Sequence, residues 1–244
     1  MRNVWTLAKR ELTGYFATPV AYVFLFFYLV FMGSLTFAFG SFYEREQADL
    51  LPFFQLHPWL YLFLIPAISM RLWAEERKSG TIELLMTLPV TMGQMVVGKF
   101  LAAWCFAGIA LVLTFPMVWV VNDLGKPDNG VILASYVGSF LLAGGYLAIG
   151  SLFSAMTKNQ VVAFVLTFVA GFMIVFAGHP VVTDWITGRL PGAVVDAIRS
   201  FSFLSHMNTI AGGVIDARSI LYFGSLIVGC LVGSGIVLDM KKAA

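Results

Sequence analysis

Six stretches of mostly apolar residues recur along the chain, separated by short runs rich in charge, Gly or Pro. They cover positions 20–40, 53–70, 95–121, 131–156, 161–178 and 220–238. A helix of about twenty apolar residues crosses the hydrocarbon core of a bilayer. Strands of a barrel would alternate over segments of about ten residues, and no such pattern is present. Each stretch therefore reads as a helix, in which every backbone polar group can pair internally. Pro58 and Pro66 interrupt the second, and Pro116 predicts a kink in the third.

Three segments do not span. Residues 1–19 form an amphipathic pattern, with Val4, Ala8, Leu12, Tyr15 and Phe16 on one face and Arg2, Thr6, Lys9, Arg10 and Thr13 on the other. Such a helix lies in the plane of the interface; the alternative is a plain tail. Residues 71–99 hold four Lys or Arg and three Glu, a quarter of all charged residues. Ser79-Gly80 marks a break there, and Ile82, Leu84 and Leu85 follow as a short apolar helix that Pro89 stops. Thr91 and Gln94 then form a T-x-x-Q capping box that restarts a helix into the third span. Lys99 is expected to reach along that span to the headgroups. Residues 179–219 carry Pro180, Pro191 and an apolar stretch at 197–210 too short to span. Short helices dipping into the outer leaflet are expected there.

Composition turns this pattern into a class. Apolar residues make up 59% of the chain and charged residues only 11%. Soluble domains carry about 25% charged residues, so a soluble fold is excluded. Disorder needs low hydrophobicity and high charge, and is excluded too. What remains is an all-α polytopic membrane protein, one unit over residues 1–244, covered by a lipid bilayer. A net charge of +2 gives no reason for a nucleic-acid partner. The first apolar run is too long for the roughly 7–15 residue core of a signal peptide, so it reads as an uncleaved span. Ten of the fifteen Lys and Arg flank one side of the spans. The positive-inside rule then places both termini in the cytoplasm, which requires an even number of crossings. Cys105 and Cys230 lie inside apolar runs and read as small core hydrophobes.

Candidate chemistry is sparse. Residues 93–99 fit G-x-x-x-x-G-K, the start of a phosphate-binding loop, but Phe100 stands where Ser or Thr must hold Mg²⁺. No nucleotide site is assigned, so ATP and Mg²⁺, if they power the protein, belong to another chain. Glu75-Glu76 lacks the Arg that an intramembrane protease motif needs, because position 80 is Gly. His57, His179 and His206 are scattered and read as interfacial residues. No metal site and no catalytic residue is assigned. No span interior holds a clear charge, which argues against a proton-coupled transporter. Ser225, Gly229 and Gly233 recur at four-residue spacing in the last span, as do Ser135, Ser139 and Ala143 in the fourth. Such stripes let helices approach closely, either within the chain or across a dimer.

The run from Ala74 through Glu75, Glu76, Arg77, Lys78, Gly80, Thr81, Ile82, Glu83, Leu84, Leu85 and Pro89 to Thr91, followed by Gly98-Lys99, resembles the signature of type-2 ATP-binding-cassette exporter permeases. The opening Lys9-Arg10-Glu11-Leu12 and the tail (Leu204-Ser205-His206, Gly213 to Asp216, Tyr222) are similar to the gliding-motility branch of that family. The resemblance implies six transmembrane helices, an N-terminal interfacial elbow helix (Arg2, Lys9, Arg10, Glu11), and short re-entrant helices before the last span. It also implies a cytoplasmic coupling helix within 71–90 that docks on an ABC ATPase subunit. There Ile82, Leu84 and Leu85 would fill a cleft, with Glu75, Glu76, Arg77, Lys78 and Glu83 at its rim. Thr81 would cap that helix after a turn at Gly80. Two ATPase copies and a second permease chain, identical or related, would complete the transporter in a bacterial or archaeal cytoplasmic membrane. Without the resemblance, residues 75–78 read equally well as a solvated end of the second span.

The leading expectation is a permease subunit whose partner ATPase drives export, with no cofactor in this chain. The cargo is either an amphipathic or lipid-linked molecule leaving sideways, or a small molecule or peptide leaving between two permeases. The alternatives are a non-transporting membrane anchor for a motility or secretion machine, and an intramembrane enzyme.

Overall fold

The computed structural model describes residues 2–38, 42, 45, 47–81, 90–187 and 189–242. Among the described residues the chain is helical, with no strand. The helices are α1 (Arg2–Phe16), α2 (Pro19–Ala38), α3 (Leu51–Ser69), α4 (Arg71–Ser79), α5 (Met92–Val112) and α6 (Pro116–Leu124). They continue as α7 (Asn129–Met156), α8 (Gln160–Phe176), α9 (Pro180–Thr187), α10 (Gly192–Ser200), α11 (Phe203–Ala211) and α12 (Ala217–Lys242).

Local sequence sets the boundaries. Pro19 opens α2, where its missing N–H costs nothing. Thr91 Oγ1 accepts from the Gln94 amide and Gln94 Oε1 from the Thr91 amide, so the expected capping box is formed at the start of α5. Asp128 accepts from the amides of Gly130 and Val131 to start α7. Asn159 and Ser202 cap α8 and α11 in the same way. Pro116 breaks the third span into α5 and α6 across a turn at 113–115, where the kink was expected.

Five helical units are long and apolar enough to cross a membrane: Pro19–Ala38, Leu51–Ser79, Met92–Leu124, Asn129–Met156 and Ala217–Lys241. The 17 residues of α8 reach that standard only together with α9, which bends away by 58°. Six spans therefore stand if this broken pair counts as one.

The bundle is built around α7, which packs against α3, α5, α8, α11 and α12. Its apolar window is 72% buried, against 22% for α2 and 17% for the last helix, which leaves those two facing outward. The sequence cause is its run of small residues. A Cβ on Gly150 would lie 2.0 Å from Ser69 Oγ, and one on Gly138 would lie 2.7 Å from Ile210 Cγ2. Ser135, Ser139 and Ala143 are buried inside this bundle, so the stripe on α7 is internal packing. The stripe on α12 is different. Ser225 and Gly229 are exposed, and Gly233 packs, its would-be Cβ being 3.2 Å from Leu152 Cδ1.

The segment before α12 folds into the expected short helices, α9 to α11. Phe203 and Met207 of α11 are buried in the bundle, where the helix packs on α3 and α7. The positive φ of 87° at Gly213 turns the chain toward α12, whose first turn Asp216 caps through the Arg218 amide. At the opposite end, Arg77 Nη1 donates to the Ala155 carbonyl at 2.8 Å and Lys241 donates to the Met156 carbonyl. The ends of α4 and α12 thus both meet the last turn of α7.

Candidate functional site

The charges that the sequence concentrates in 71–99 converge with α1 on one buried cation. Seven residues into α5, Lys99 is only 4% exposed, and its ammonium lies 3.0 Å from Glu11 Oε2 and 2.5 Å from Glu76 Oε1. It also sits 5.5 Å from the ring centroid of Trp73, close enough for a cation–π attraction. The expectation that Lys99 reaches for the headgroups is therefore corrected. A buried ammonium needs charged partners to offset its lost hydration, and the two carboxylates supply them. One cation joins three elements: the amphipathic helix α1, the extension α4 of the second span, and the start of the third span.

The local sequence explains how each group arrives. On α1, Leu7 and Ala8 are buried and Leu12, Tyr15 and Phe16 are half-buried, the apolar face that the pattern predicts plus Leu7. Glu11 falls within this face, at the i+4 position from Leu7. Burial pushes the Glu11 carboxyl up, but Lys99 and Arg10 outweigh it and hold the group below its ordinary value. Arg10 Nη2 reaches Glu11 Oε1 at 3.0 Å from the exposed side, and Lys9 is exposed. The side chain of Arg2 lies outside the described set.

Helix α4 is held from within the bundle. Trp73 Nε1 donates to Ser151 Oγ at 3.1 Å. Ser154 Oγ accepts from the Trp73 and Ala74 amides at 3.0 and 3.1 Å and donates to the Met70 carbonyl at 3.0 Å. One serine of α7 thereby bridges the junction of α3 and α4. The second carboxylate oxygen of Glu76 is buried with no partner among the described residues. Glu75 and Lys78 are exposed. Gly80 ends α4 with a left-handed φ of 74°, the conformation that favours glycine at a helix end. Ser79 Oγ and Thr81 Oγ1 lie 2.9 Å apart, and Thr81 bonds back to the Glu76 carbonyl at 3.5 Å. Thr81 thus closes the end of α4; its expected capping of the next helix falls on residues outside the described set. So do Ile82, Glu83, Leu84, Leu85 and Pro89, the ridge expected to fill the partner's cleft.

Two further expectations are settled by geometry. The G-x-x-x-x-G-K string lies on a regular helix and its lysine is locked between two carboxylates, so it is not a phosphate-cradling loop. His57 is not interfacial: it is fully buried, donates from Nδ1 to the Phe53 carbonyl and accepts at Nε2 from Tyr28. His206 stacks on Tyr222 with ring centroids 4.3 Å apart, donates from Nε2 to the Ser200 carbonyl and accepts from Ser219. Both tautomers follow from the carbonyl partner, which can only accept. No group of three metal-ligating side chains occurs among the described residues.

Reading the residues alone missed the Glu11–Lys99–Glu76 cluster. The available signal was Glu11 itself, a carboxylate on the apolar face of an amphipathic helix.

The helical membrane fold agrees with the comparison to known families. No curated protein matches the chain. A family model described as ABC-2 family transporter protein matches residues 50–233, about three quarters of the chain, and carries no branch assignment. The chain therefore belongs to the ABC-2 transporter family, as an integral membrane component of permease type.

Proposed function

We propose that this chain is the permease subunit of an ABC exporter, and that a separate ATPase docks at the end where α1, α4 and the start of α5 meet. The observation that carries the reading is the buried Lys99, which ties α1 to α4 and to the third span. A push on the segment after Gly80 would reach the bundle through this tie and through Ser154. Two ATPase chains would bind ATP and Mg²⁺, and a second permease chain would face this one. The end carrying Lys9, Arg10, Arg71, Arg77 and Lys78 would lie in the cytoplasm of a bacterial or archaeal cell, with both termini on that side. Export, rather than import, follows from the resemblance of residues 74–91 to exporter permeases.

The test is co-purification of the full chain with its ATPase and measurement of ATP hydrolysis by the complex. Glu83→Arg or Leu84→Asp should leave the chain folded and weaken association at least tenfold. A chain that never associates with an ATPase overturns the proposal.

A further inference from the structure

A cavity of about 150 Å³ opens where α1 turns into α2 and where α3 gives way to α4. Its bore is apolar, formed by Ala21, Phe24, Ala67, Ile68 and Phe106, and Arg71 lines the same space. Arg71 is exposed, and among the described residues no carboxylate pairs with it. Beside it, Val20, Tyr22 and Val23 turn a bare apolar face outward at the start of α2.

We propose that this cavity holds one anionic glycerophospholipid, with its phosphate on Arg71 and part of an acyl chain in the bore between α2, α3 and α5. The bore selects an apolar chain, and a guanidinium presents two parallel donors that match a phosphate. The anionic class is favoured by the surrounding charge: Lys9, Arg10, Arg77, Lys78 and Lys158 lie at the same end and, with Arg71, outnumber Glu11, Glu75 and Glu76 there, and such net basic surfaces attract acidic lipids. The small side chains of Ala21 and Ala67 leave the space open. The lipid seat would join the α1–α2 corner to the α3–α4 junction. The proposal goes beyond the transport reading; it needs only a chain set in a bilayer and no ATPase partner.

Native mass spectrometry of the purified full chain tests it, with dioleoyl phosphatidylglycerol, dioleoyl phosphatidylcholine and glycerol phosphate as probes. The wild type should retain one phosphatidylglycerol with at least a tenfold preference over phosphatidylcholine. Arg71→Gln should lower that affinity about tenfold, and Ala67→Phe, which fills the bore, should do the same. Ala67→Leu replaces Ala67→Phe if the latter does not fold. Lys126→Gln, at the other end of the bundle, should retain the lipid. Equal retention by wild type and Arg71→Gln, equal binding of the two lipids, loss in Lys126→Gln, or competition by glycerol phosphate as strong as by the lipid would each overturn the site.

Discussion

Leu7 of α1 lies against Gly98 of α5 so closely that a Cβ on Gly98 would come within 2.8 Å of Leu7 Cδ2. The missing side chain lets α1 rest on the third span, and Lys99, the next residue, meets Glu11 one turn along α1. Gly98→Leu should therefore push α1 off α5 and cost about 1–3 kcal/mol, the range for overpacking. The check is the thermal unfolding midpoint of the purified chain. Leu7→Ala should restore part of the loss, because it empties the space that the new side chain needs.

Removing Lys99 should hurt more than removing either carboxylate. Lys99→Met leaves Glu11 and Glu76 facing each other with no cation between them. Loss of one partner from a buried pair costs about 3–5 kcal/mol, and the low end applies here because both carboxylates keep some access to water. Glu76→Gln should then cost clearly less in the Lys99→Met background than in the wild type. A double-mutant cycle in unfolding midpoint reads this coupling; additive effects would show that the three charges do not act together.

The cluster also sets an acid limit. The Glu11 carboxyl is held below its ordinary value in the folded chain, so near that value the unfolded chain binds more protons. Its stabilisation is fully present above the ordinary carboxylate range and is lost as pH falls through the lowered folded value. The difference in unfolding midpoint between wild type and Glu11→Gln should be largest near pH 7 and should close as pH falls through the lowered folded value. A difference that widens on acidification would contradict this assignment.

Ser154 offers a separate test. Ser154→Ala removes the acceptor for two buried backbone amides and the donor to a carbonyl at the α3–α4 junction. An unsatisfied buried donor costs about 1–3 kcal/mol. Ser154→Thr keeps the hydroxyl and should recover most of the loss in the same unfolding measurement. Amide hydrogen exchange at Trp73 and Ala74 should speed up in the alanine variant alone.

Much of this architecture was legible from periodicity. The capping box at Thr91, the break at Gly80, the interruption at Pro116 and the apolar face of α1 are local signals, and local signals survive folding. Residues 71–91 stand out in the sequence as a charge cluster that resembles a family signature. What was not legible is non-local. Lys99 looks like a residue at a membrane boundary until α1 folds over it, and Trp73 looks like one more apolar residue until Ser151 and Ser154 arrive from about eighty positions away. His57 was misplaced for the same reason, since its partner Tyr28 lies on a different span. Pairing across helices depends on which faces meet, and a single sequence carries that only indirectly, as a charge on an apolar face or a small residue at a crossing.

The serine bridge at the α3–α4 junction has a mechanical meaning. Because α4 is fastened to α7 by Ser154, by Ser151 and by the Arg77 bond to Ala155, its fulcrum lies in the central helix and not along its own span. A torque applied beyond Gly80 would thus be delivered to the helix that packs against α3, α4, α5, α8, α11 and α12. The bundle would respond as a crank turning on its axle, with α2 and α12 carried along as outer staves.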